Sequence, residues 1–230
     1  RYSLDSQTIV FVFLFLAVTT GFVLLLALNS RADRAEKEIL NAARQSGWKV
    51  GKQQFSGTGS TGAEWTLETN NPGATNSLYW HSENVRLNGG VLVVVPRLML
   101  QVLSGKSSKM AFRLTGSGRN WLRPGLKTLQ LAIEKSQAVD AGSDRFQQRY
   151  CCFSNLPAVV QGILTPEVET LLLDFPAQPG QPFTPVYIVL SARSLQVFAE
   201  TSLQSLEAYT CLVDLGTTLS TQVADIQKTD

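Results

Sequence analysis

The stretch Phe55–Trp65 reads FSGTGSTGAEW, and its reading decides the fold. Gly57, Gly59 and Gly62 stand at the spacing G-x-G-x-x-G of a dinucleotide-binding loop. That loop works only between a strand and a helix, because the pyrophosphate rests on the helix N-terminus. Here the following residues are AEWTLETN. Ala63, Trp65, Leu67 and Thr69 alternate with Glu64, Thr66, Glu68 and Asn70, which is the period of a half-buried strand. Strand–loop–strand is a hairpin, so the glycines are read as a turn. Glu83 stands about 20 residues further on, as a ribose-binding acid would, but without the helix it has no role there.

Working outward, WKVGKQQF precedes the loop and SLYWHSENV follows the turn NPGATN. NGG at 88–90 is another turn, and VLVVV at 91–95 is a buried strand. The segments together predict an antiparallel meander of about four strands. A second phosphate-loop look-alike, SGKSSK from Ser104 to Lys109, lacks the glycine that a P-loop needs five residues before Gly105; Leu100 stands there.

Further along, MAFRLTG reads as a strand, and Pro124 opens a helix carrying Leu126, Leu129 and Ile133 on one face. RFQQRYCCFSN reads as a strand, and LPAVVQGIL and TPEVETLLLDF as helices. Thr165 is the expected N-cap of the second, with Pro166 and Glu167 in its first turn. VYIVLSARSLQVFAET reads as a hairpin turning near Ser191–Ser194. Ser202 is the expected cap of a last helix through Leu212, Leu215, Leu219, Val223 and Ile226.

The N-terminal end has a different character. Ser6–Ser30 holds no charged residue, and Thr8–Leu28 forms 21 residues of helix-compatible apolar sequence. At 1.5 Å per residue that is roughly 30 Å, the thickness of a bilayer core. The charged stop after it, with Arg31, Asp33 and Arg34, lacks the small-residue cleavage pattern of a signal peptide. Arg31, Arg34, Lys37, Arg44 and Lys49 follow the run, against Arg1 before it, and place the larger part in the cytoplasm by charge bias.

The expected fold class is therefore α+β, with one N-terminal transmembrane helix (about 8–28) and a soluble part of antiparallel strands and helices. The expected division is 1–30 for the membrane segment, 31–47 for a helical stalk, 48–145 for a β-rich basic subdomain, and 146–230 for an acidic α+β subdomain. The chain's 230 residues, 44% of them hydrophobic, suffice for one domain or two small ones.

Net charge is +2, and the average conceals a split. Between Asn84 and Ile133 stand Arg86, Arg97, Lys106, Lys109, Arg113, Arg119, Arg123 and Lys127, with no acid among them. From Asn155 onward the acids are Glu167, Glu169, Asp174, Glu200, Glu207, Asp214, Asp225 and Asp230, against Arg193 and Lys228. The two halves either neutralise each other, or the basic run meets an anionic leaflet or an acidic partner. The residues Arg97, Lys106, Lys109, Arg113, Arg119, Arg123 and Lys127 are the candidate contact set. Nucleic acid is not expected, since no binding motif appears.

Catalytic groups are sparse. His81 is the only histidine, on the same strand face as Tyr79. No G-x-S-x-G elbow supplies a serine for it. Cys151, Cys152 and Cys211 form neither a C-x-x-C zinc pair nor a disulfide framework. Glu167 and Glu169 diverge around a helix. No catalytic residue, cofactor, metal or small-molecule substrate is expected.

The expected function is that of a membrane-anchored, non-catalytic accessory or scaffolding subunit. It would contact the bilayer and other integral membrane subunits of a larger complex. The alternatives are an anionic-lipid binding module and an enzyme whose site is assembled from separate loops.

Overall fold

The computed structural model describes residues 34–98 and 129–229, apart from 35, 53, 71–76, 130–131, 178–179, 181 and 202–204. Helix α1 runs over 36–45. It ends in a glycine cap: Gly47, at φ 74°, donates to Arg44 O, and Trp48 N donates to Ala43 O. The strands are β1 (Lys49–Gly51), β2 (Gln54–Thr58), β3 (Glu64–Asn70), β4 (Ser77–Ser82) and β5 (Leu92–Pro96). Then come β6 (Gln137–Val139), α2 (Asp144–Arg149), β7 (Tyr150–Ser154), α3 (Pro157–Ile163) and α4 (Pro166–Leu173). The chain finishes with β8 (Val186–Leu190), β9 (Leu195–Glu200) and α5 (Leu206–Thr229).

All nine strands join one sheet in the order β1-β2-β3-β4-β9-β8-β5-β7-β6, and every pairing is antiparallel. The expected fold class is corrected by this sheet. An α+β domain behind a transmembrane helix gives way to a large antiparallel nine-stranded sheet with helices. Among the described residues no helix is long and apolar enough to cross a membrane. The expected span, about 8–28, lies outside the described residues. Helix α5 has the length, at 24 residues, but it is amphipathic, with Glu207, Asp214 and Asp225 on its exposed side.

Sequence order also misplaces β5. The meander runs from β1 to β4, and then the late hairpin β8–β9 sits between β4 and β5. Burial is the cause. Every residue of β5 and of β8 is buried. A strand apolar on both sides needs neighbours along both edges and cover on both faces, so it belongs in mid-sheet. One consequence is that strands from 48–145 and from 146–230 interleave in the same sheet.

Local capping explains two more differences. Ser143 accepts from Phe146 N, which turns Asp144–Arg149 into α2 before the chain straightens into β7. The expected strand beginning at Arg145 thus starts at Tyr150. Ser205 accepts from Ala208 N at the start of α5; the expected cap, Ser202, lies outside the described residues. At α4 the cap is the expected one, with Thr165 accepting from Val168 N and Pro166 in the first turn.

The sheet has two unlike faces. One meets the helices and forms the main core, with Trp65, Leu67, Trp80, Ile188 and Val197 against Ile39, Ala43, Phe146, Val168, Leu172, Leu212 and Leu219. The other carries Val93, Val95, Tyr187, Val189 and Phe198, covered by Leu129 and Ala132. Helix α5 approaches closely over Trp80 because residue 216 is glycine. A Cβ at that position would fall well inside contact distance of the indole.

Gly216→Ala is therefore expected to destabilise the protein. The gain in helix propensity is about 1 kcal/mol, whereas overpacking a closed core costs about 1–3 kcal/mol. At Gly162, in α3, an added Cβ meets only the Ile226 side-chain end, at 3.1 Å. Denaturant melts should show Gly216→Ala below the parent and Gly162→Ala above the Gly216 variant; the reverse order would refute the close-packing account.

Candidate functional site

The glycine-rich stretch is a hairpin, and each glycine has a structural job. Gly57 pairs with Trp65 across β2 and β3. A Cβ on it would stand 2.6 Å from the Trp65 ring, so the missing side chain makes room for the indole. Gly59 N donates to Ala63 O, and Gly62 N donates to Gly59 O with Gly62 at φ 79°. Ser60 Oγ and Thr221 Oγ1, 3.1 Å apart, tie the loop to α5. A strand, not a helix, follows the loop, so nothing receives a pyrophosphate.

Of the candidate contact residues, Arg97 is described. It is exposed just beyond β5, and its Nε donates to Gln147 O at 2.9 Å, joining the end of β5 to α2. Lys106, Lys109, Arg113, Arg119, Arg123 and Lys127 lie outside the described residues.

The polar groups that converge are on the sheet face opposite the helices. Period-two alternation sends Leu78, Trp80 and Ser82 inward and leaves Ser77, Tyr79 and His81 half-buried on that face. Register then builds rows. Glu68 lies across from Tyr79, Tyr79 from Phe198, and Phe198 from Tyr187. Thr66, His81 and Gln196 form the next row. The Tyr79 and His81 rings stack with centroids 5.0 Å apart and planes 13° apart. His81 Nε2 is 3.8 Å from Glu68 Oε1, beyond hydrogen-bond range, and has no hydrogen-bond partner among the described residues.

Burial controls the titration of this face. It lowers the pKa of His81 below the ordinary imidazole value, and the nearby Glu68 and Glu83 carboxylates oppose it without prevailing. Burial raises Tyr79 to about 12, helped by the same carboxylates. At the far end of the row Tyr187 Oη donates to Glu200 Oε1 at 3.3 Å. Burial raises the Glu200 carboxyl above its usual range despite that hydrogen bond.

Among the described residues no cysteine lies within reach of His81. Cys151 shares its face, but β4 and β7 are separated by β9, β8 and β5. Four strand spacings of about 4.8 Å put the two residues about 19 Å apart. Cys152 points to the helix side, and Cys211 Sγ lies 3.7 Å from Leu171 O. Burial raises the thiol of Cys151 and pushes Cys152 and Cys211 up to about 12, away from the reactive thiolate. Glu169 is committed to Ser143, whose backbone N and Oγ donate to it at 3.0 and 2.7 Å. Among the described residues no His, Cys, Asp and Glu cluster could hold a metal.

The Glu68–Tyr79–His81 grouping went unread in the sequence. Alternation in TLETN and SLYWHS signals which residues share a face, but only the register sets Glu68 opposite Tyr79. The Tyr187–Glu200 pair depends on the β8–β9 register in the same way.

No protein-family model matches the chain, and neither does any curated protein or solved structure.

The lowered His81 pKa means that the folded state prefers the neutral ring. Its stabilising contribution is present above about pH 6.5, the unfolded value, and is lost as pH falls through the folded value. NMR titration should place the His81 midpoint below 6.5, and His81→Gln should flatten that acid-side loss. A midpoint above 6.5 would mean that the Glu68 attraction prevails over burial. Glu200 carries the opposite sign. Its contribution is present below the usual carboxylate range and is lost as pH rises through the raised folded value. Glu200→Gln keeps an acceptor for the Tyr187 hydroxyl without the charge, so thermal melts should show it more stable than the parent at pH 7, with the gap closing near pH 4.

Proposed function

We propose that the protein acts by protein–protein contact, as a non-catalytic accessory or scaffolding subunit of a larger membrane complex. The observation that carries this reading is the β3–β4 part of the sheet face opposite the helices. There Glu68, Tyr79 and His81 are half-buried side by side, Glu64 and Glu83 are exposed, and no lysine or arginine pairs with these carboxylates among the described residues. Aromatic rings set among polar groups on a sheet face have the composition of a protein interface. The charge-free run Ser6–Ser30 is the sequence feature that favours a membrane complex as the partner.

A second reading rests on the sequence alone. The run of eight basic residues without an acid, from Arg86 to Lys127, favours binding to an anionic lipid surface.

Purification of the native protein in mild detergent, followed by size analysis and mass spectrometry, tests the first reading. It expects a stoichiometric complex, and it expects the charge reversals Glu68→Lys and Glu83→Lys to release the partner with little change in melting temperature. A lone 25.2 kDa species overturns it. Salt-reversible binding of that lone species to vesicles containing phosphatidylserine would then support the lipid reading.

A further inference from the structure

We draw no further inference here: the strongest candidate, the patch of Glu68, Tyr79, His81 and Phe198 across β3, β4 and β9 on the sheet face opposite the helices, is an acidic and aromatic surface already used in the functional reading, and nothing among the described residues shows what covers it.

Discussion

The structure depends on two strands that are apolar on both sides. In β5 and β8 every residue is buried, so neither strand tolerates a sheet edge or a wet face. They pair with each other in mid-sheet, Val93 against Val189 and Val94 against Ile188. The late hairpin β8–β9 thereby enters between β4 and β5, and its far strand pairs with β4. The insertion welds the meander near the N-terminal end to the later strands. Among the described residues β1 and β6, each of three residues, stand at the sheet ends, and such short edges offer little template for pairing with another chain.

Cover for the two faces comes from different parts of the chain. On one side α5 lies over Trp80 with Gly216 at the closest approach, and Tyr209 of the same helix meets Phe55 edge to face at 5.7 Å. Trp48 reaches Trp65 at 5.4 Å, so α1 and its cap are anchored on the same aromatic cluster. On the other side, among the described residues, Leu129 and Ala132 join the buried cluster of Val93, Val95, Tyr187, Val189 and Phe198, with Tyr79 packed against it. The opposite face therefore grades from apolar at β5 and β8 to polar at β3, and the candidate site sits where that gradient crosses β4.

Local patterning made much of this legible. The hairpin around the glycines, the cap at Thr165 and the reversal at Ser191–Ser194 are short-range features, set by residues a few positions apart. The position of β5 was not, although VLVVV and VYIVL both carry the signature of central strands; pairing residues 94 to 98 positions apart is a choice among several apolar partners that periodicity does not rank. Helix α2 was missed because Ser143, a single capping hydroxyl, outweighs the strand-like look of RFQQRY. The contact set read from charge is legible as composition only. Arg97, the one member described, spends its Nε on Gln147, a bond that joins β5 to α2 and leaves no trace in a charge count.

The electrostatics of the polar row bear on what it can do. Burial pushes His81 down and Glu200 up, so both shifts favour the neutral form. Tyr79 and Tyr187, between them, are shifted away from ionisation. A proton-transfer site needs an acid and a base in reach of each other with values brought towards the working pH. Here His81 and Glu200 are separated by the Tyr79–Phe198 row, and their surroundings suppress charge. Carboxylates line its margin, at Glu64 and Glu68 of β3, with Glu83 just past β4. A surface with a neutral aromatic middle and an anionic border is built like a contact patch, apolar at its centre and polar at its rim. The same burial that keeps the His81 ring neutral is what gives the patch its centre.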